Sequence, residues 1–262
     1  MQVELIPGAA IPYVLAPEGD TPGRIAAYDV SADLRARLSQ QRSVRIIFAA
    51  APSQSGLLAE LIRQPGIDWP RVTAFHMDEY LGLPPEAPQR FAVWLDRHLF
   101  DHLPFAAVHR IRPDADPITT AKAYAALLAE APIDIVCCGI GSNGHLAFND
   151  PPANFADPES MRLVTLDEQC RKQQVDDDCF ARIEDVPTQA LTLTVPCLLS
   201  AKRIFCCVPG ALKTRAVTAA LLGPLTEACP ASALRTHTNC TIYLDFLSAA
   251  GVLGPEASHV AR

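Results

Sequence analysis

Short, continuous apolar runs recur along the chain, and most are followed by a stretch whose apolar positions return at helical spacing. "VRIIFA" leads into "GLLAELIRQ", "VTAF" into "RFAVWLDRHLF", and "RIFCCVP" into "LKTRAVTAALL", while "IDIVCCGIG" and a final "CTIYLD" stand as runs of their own. A strand that is apolar on both sides is buried on both faces. Such strands, alternating with amphipathic helices, predict an α/β fold: a mostly parallel sheet with helices on both faces. In folds of this kind ligands gather at the carboxyl ends of the strands. The pattern therefore directs attention to the residues that leave each strand.

The chain has 262 residues, 49% of them hydrophobic, enough to bury a sizeable core. No internal repeat or low-complexity linker divides it, so residues 1–262 read as a single domain. A formal net charge of -7, with no concentrated basic run, speaks against nucleic acid as a partner. One or two placed cations can still hold a phosphate monoester. The first residues, "MQVELIPGAAIPYVLAPEGD", carry no basic segment ahead of an apolar core. No apolar run reaches the roughly 18 residues of a membrane span. Both features point to the cytoplasm and away from a membrane, and they leave a homo-oligomer open. The cysteines number nine. The number is odd, no C-x-x-C spacing occurs, and Cys137, Cys138, Cys206 and Cys207 sit inside apolar runs, so they read as core thiols.

Four strand ends carry candidate chemistry. "AAAPSQSG", Ala49 to Gly56, is built of small residues at a helix start, where Ser53, Gln54 and unpaired amides would attract a phosphate. An ordinary serine-capped helix has the same appearance. "FHMDEYLGLP" places Asp78 beside Glu79. Neighbours on an extended segment point to opposite sides, so one carboxylate faces a pocket and the other supports it. His76 and Asp78 share a parity, but no third ligand is spaced nearby and no metal is assigned.

"GIGSNGHLAFNDPP", Gly139 to Pro152, contains a literal G-x-G-x-x-G in Gly139, Gly141 and Gly144. It follows a strand-like run from Ile133 to Cys138, and Asp167 lies about 20 residues on, as a dinucleotide fingerprint would have it. The helix that fingerprint needs is barred by Pro151, Pro152 and Pro158, so no nucleotide cofactor is expected. Instead Gly141 and Gly144 predict a tight turn with positive φ that presents Asn143, His145 and Asp150 around one small volume. An acid/base histidine needs such partners to fix its tautomer; a purely structural histidine is the alternative. In "VPGALKTRAV", Lys213 enters a helix either as a point charge for a phosphate or as a surface lysine. Two proline-rich segments, "LGLPPEAPQ" and "NDPPANFADPES", predict loops over the site.

In chain order, "FHMDEYLGL", "GIGSNGHLAFNDP", "LTLTVPCLLSAKRIFCCVPGALK" and "SALRTHTNCTIYLD" resemble the successive signatures of the glucosamine-6-phosphate deaminase/isomerase family. The related 6-phosphogluconolactonases share the fold and the glycine turn but continue into a "GHTASLFP"-like sequence, where this chain has "GHLAFNDP". The resemblance implies a modified Rossmann-like fold without nucleotide or other cofactor. It implies a metal-free aldose-to-ketose isomerisation of an amino-sugar 6-phosphate with loss of ammonia.

Asp78 then matches the base that moves a proton between C2 and C1, and His145 the acid/base that opens the sugar ring. Asp150 stands where the family usually has glutamate, and Asn143 where many members have aspartate. Lys213 matches a phosphate-binding lysine, Ser53 and Gln54 belong to a phosphate loop that departs from the usual "TGGTP"-like sequence, and Glu79, Gly141 and Gly144 complete the pocket. Arg171 and Lys172 lie just before a position where the family often grips phosphate with arginine. Arg162 matches one of the basic pair of allosteric members, but Val164 replaces the lysine, so allosteric activation is not expected. A 6-phosphogluconolactonase-type hydrolase and a non-catalytic sugar-phosphate sensor are the alternatives.

Overall fold

The computed structural model describes residues 4–5, 11–17, 19–113 and 116–253. Its strands are β1 (Glu4–Leu5), β2 (Pro12–Ala16), β3 (Val44–Phe48), β4 (Val72–His76), β5 (Asp78–Tyr80), β6 (Ala107–His109), β7 (Ile135–Cys138), β8 (Met161–Thr165), β9 (Gln189–Leu193), β10 (Arg203–Val208) and β11 (Cys240–Asp245). The helices are α1 (Thr21–Gln40), α2 (Ser55–Arg63), α3 (Phe91–His98), α4 (Pro117–Ala129), α5 (Glu168–Asp176), α6 (Val195–Leu199) and α7 (Thr214–Leu222). The central sheet runs β1-β2-β11-β10-β7-β3-β4-β6. Every pairing in it is parallel except that of β1 with β2.

The continuous apolar runs are the middle strands of this sheet, and alternate residues feed two cores. Ile46 and Phe48 of β3, Ile135 and Cys137 of β7, and Phe205 and Cys207 of β10 pack on one face with Ile25, Val30 and Leu34 of α1 and Leu57, Leu58 and Leu61 of α2. Ile47, Val136, Cys138, Ile204 and Cys206 pack on the other with residues of α4 and α7. All four expected core thiols are buried. Among the described residues no helix is long and apolar enough to cross a membrane.

A second, antiparallel sheet of β5, β9 and β8 was not foreshadowed by the apolar runs. It arises because the chain turns at Met77 immediately after β4 and pairs Asp78 with Thr192 of β9. Tyr80 anchors this small sheet: its ring centroid lies 4.8 Å from Phe91, 5.2 Å from Phe148 and 5.6 Å from Phe180. The result is that Asp78 stands just beyond the end of β4, paired with β9.

Candidate active site

The residues that leave β3, β4, β7 and β10 surround one cavity of about 450 Å³. Ser53 and Gln54, Asp78, Gly141 and His145, and Lys213 all line it, so the four strand ends picked out in the sequence converge on one place. The walls are completed by Phe91, Trp94 and Arg97 of α3 and by Gln173 and Gln174 of α5.

Asp78 is buried, and its carboxyl makes no hydrogen bond within the described residues. Burial, reinforced by the neighbouring charge of Glu79, pushes that carboxyl well above the usual carboxylate range. Glu79 does not line the cavity. It points the other way, where Oε1 accepts the N–H groups of Tyr80 (2.9 Å) and Phe91 (3.0 Å) and Oε2 accepts that of Ala92 (3.0 Å). It therefore holds the first turn of α3. Burial raises its carboxyl to about 7, against the pull of those three donors.

His76 is no metal ligand. Its Nε2 accepts the Ile111 N–H at 2.7 Å, which leaves Nδ1 to donate to the Asp78 carbonyl at 2.9 Å. Complete burial holds its pKa near 3, so the ring is a neutral strut between β4 and β5.

The glycine turn is closed by hydrogen bonds from Gly144 N–H to Gly141 O (2.9 Å) and from Gly141 N–H to His145 O (3.0 Å). Gly144 has φ +89° as expected, but Gly141 has no positive φ. Gly141 is needed for a different reason: the His145 imidazole lies where a Cβ on Gly141 would stand. Asn143 and Asp150 do not line the cavity; they stand behind the ring. Nδ1 of His145 is 3.4 Å from Asp150 Oδ1, long for a hydrogen bond. Asn143 accepts the His145 N–H at 3.0 Å and donates to Asp150 Oδ1 at 3.0 Å. Burial works against ionisation of Asp150, yet its contacts with His145, Asn143 and the Asp167 N–H hold it below the usual range.

Asp167, which the spacing of a dinucleotide fingerprint would make a ribose-binding acid, instead belongs to the group behind the ring. Its Oδ2 accepts from the Asn143 amide (3.3 Å), its N–H donates to Asp150 Oδ2 (3.1 Å), and its Oδ1 caps α5 through the Cys170 N–H (2.5 Å). The usable signal was an aspartate just before the helix-like "EQCRKQQ".

At the far side, Lys213 is only 8% exposed and has no hydrogen-bond or ion-pair partner among the described residues. Burial lowers its pKa, and the charge of Asp177 opposes that effect. The Gln54 amide donates to Cys207 O (3.2 Å) and Ser53 Oγ (3.3 Å), leaving Oε1 unpartnered.

Neither Arg171 nor Lys172 reaches the cavity: Arg171 donates to the Ile183 and Val186 carbonyls, and Lys172 pairs with Asp176. The first proline-rich segment contributes Pro88 and Gln89 to the wall. The second does not cover the site. It is tied elsewhere by Phe155 N–H to Glu227 (3.0 Å) and by the Asp157–Arg162 ion pair (2.8 Å), which also occupies Arg162.

A basic carboxyl without a partner, a histidine backed by an acid, and a buried unpaired cation suit proton transfer on a small anionic substrate. Residues 23–243 match the family described as glucosamine-6-phosphate isomerases/6-phosphogluconolactonase. The glucosamine-6-phosphate deaminases of Bacillus thuringiensis and Bacillus anthracis are 37% identical over 198 residues, 75% of this chain and 74% of theirs. A monomeric glucosamine-6-phosphate deaminase superposes with a TM-score of 0.83 at 27% identity, covering 91% of this chain and 99% of that one. The 6-phosphogluconolactonase of Trypanosoma brucei, at 19% identity and TM-score 0.74, covers 92% of this chain and 98% of its own and shares the fold. Sequence and architecture agree: the chain belongs to the family of glucosamine-6-phosphate isomerases and 6-phosphogluconolactonases.

Proposed function

We propose that the chain converts glucosamine 6-phosphate and water to fructose 6-phosphate and ammonia. The observation that carries this reading is the convergence of the unpartnered Asp78 carboxyl, the His145 ring and the unpaired Lys213 ammonium on one cavity. The likeness to named deaminases supports the deaminating reaction over lactone hydrolysis.

His145 transfers a proton at the ring oxygen and opens the sugar, with Asp150 and Asn143 fixing the imidazole from behind. The C1 aldehyde so formed acidifies the C2–H. Asp78 takes that proton and returns it to C1, which moves the carbonyl oxidation level to C2 as an imine; water adds there and ammonia leaves. An ordinary carboxylate is a weak base for a carbon acid. Burial of Asp78 raises its basicity, and the cation of the substrate amine keeps it ionised when the substrate is bound. Lys213, Ser53 and Gln54 hold the phosphate. The same reading takes residues 1–262 as one cytoplasmic domain that needs neither cofactor nor metal for its chemistry.

A panel of glucosamine 6-phosphate, galactosamine 6-phosphate, unphosphorylated glucosamine and 6-phosphogluconolactone tests the proposal. Ammonia from a phosphorylated amino sugar is expected, with lactone hydrolysis at the spontaneous rate. Lactone hydrolysis without ammonia release would assign the hydrolase reading instead.

A further inference from the structure

Behind the His145 ring, three different metal-binding atoms come together. The side-chain donors of His145, Asp150 and Cys170 lie within 4.8 Å of one another, the one such group among the described residues. Cys170 is fully buried on the first turn of α5, where the Asp167 cap fixes its backbone. His145 is 8% exposed, and its Nδ1, aimed into this group, has no hydrogen-bond partner. The proposed reaction uses neither the thiol nor any cation at this point. The other cysteines have no histidine and carboxylate grouped with them among the described residues.

We propose that His145, Asp150 and Cys170 form a latent site for a thiophilic divalent cation, zinc in the first instance, whose binding switches the enzyme off. Nitrogen, sulfur and carboxylate oxygen are the donor set that zinc takes and that magnesium and calcium do not. Zinc–ligand bonds of about 2.0–2.3 Å put ligands of one tetrahedral ion roughly 3–4 Å apart, so small side-chain rotations bring these three into range. Coordination takes Cys170 as thiolate and releases its proton to solvent. With its Nδ1 lone pair on the metal, the neutral His145 ring carries its one proton on Nε2 and accepts no other, and the ring is fixed against Gly141. Removal of the metal by a chelator restores the free imidazole.

The binding claim stands apart from the proposed reaction, and cobalt(II) tests it without an activity assay. The full chain, freed of metal, should bind one equivalent of cobalt(II) with a thiolate-to-cobalt charge-transfer absorption. Cys170→Ser should lose that band and weaken zinc binding, read by competition with a chromophoric chelator, by about 100-fold or more. Cys170→Ala gives the same reading should the buried serine hydroxyl unfold the chain. The other eight cysteines remain in both variants and act as the internal control. A band that survives in both variants, or no stoichiometric binding by the native chain, overturns the site. Turnover inhibited by zinc in the native chain, restored by chelator and insensitive to zinc in Cys170→Ser supports the switch; zinc bound at the site without inhibition overturns it.

Discussion

The imidazole of His145 rests directly on the Cα of Gly141, in the space that any side chain at position 141 would fill. The contact fixes the ring between Gly141 and the Asp150 carboxylate, 3.4 Å from Nδ1. Gly141→Ala should therefore displace the ring rather than the turn. We expect turnover to fall by at least about 100-fold, the order attached to a misplaced acid/base group, with the far-ultraviolet circular dichroism spectrum unchanged. Native turnover in this variant would remove His145 from the chemistry.

Asn143 lies between two carboxylates, donating to Asp150 at 3.0 Å and to Asp167 at 3.3 Å. Asn143→Asp would exchange that donor for a third anion. The variant should lose about 1 kcal/mol of stability at neutral pH, the lower end of the cost of leaving polar groups without partners, because these three groups are partly buried. The check is equilibrium unfolding in urea. A midpoint equal to or above the native one would mean that the amide does not bridge the pair.

Lys213 is a buried cation with no hydrogen-bond or ion-pair partner within the described residues, opposed by the charge of Asp177. A charged contact made equally in ground and transition states changes KM and spares kcat. Lys213→Ala should raise KM for the sugar phosphate by roughly 10–100-fold, the value of a hydrogen bond to a charged group, and leave kcat within a few-fold. Inorganic phosphate should raise the unfolding temperature of the native chain and not of the variant. Equal thermal shifts in both would place the phosphate elsewhere.

The elevated carboxyl of Asp78 also has a cost in stability. The folded state favours its protonated form, so folding takes up a proton that the unfolded chain releases above its ordinary value of 3.8. Stability is fully retained below that value and declines as pH rises from it toward the higher folded-state pKa. Asp78→Asn abolishes this decline. Thermal unfolding should place the variant close to the native chain near about pH 4 and above it near about pH 7. A variant less stable than the native chain at neutral pH would show that Asp78 is a structural anion.

The apolar runs revealed the central sheet because its strands are buried on both faces, and they placed Ser53, Asp78, His145 and Lys213 at strand ends that share one cavity. The sheet of β5, β8 and β9 was less legible. Strands such as "DEY" and "MRLVT" are short and mixed in polarity, and their pairing is set by partners far away in sequence. The division of labour between Asp78 and Glu79 followed from strand parity, but two of the three donors that claim Glu79 sit twelve and thirteen residues on, at Phe91 and Ala92. At Gly141 a sequence shows the glycine's φ freedom more visibly than its actual role, a ring packed on its Cα. The contacts of Asp167 and Cys170 with Asn143, His145 and Asp150 depend on where α5 docks, which the local capping pattern at Asp167 does not record.

Asp78 as the proton carrier is tested most directly by the ammonia and fructose 6-phosphate released from glucosamine 6-phosphate by the native chain and by Asp78→Asn, each at saturating substrate. The native chain should release the two products in equal amounts. Asp78→Asn, still binding substrate as judged by its thermal shift, should release both at least 100-fold more slowly, within the roughly 10²–10⁴-fold contribution of a general base. Turnover by Asp78→Asn within about tenfold of native would contradict the account.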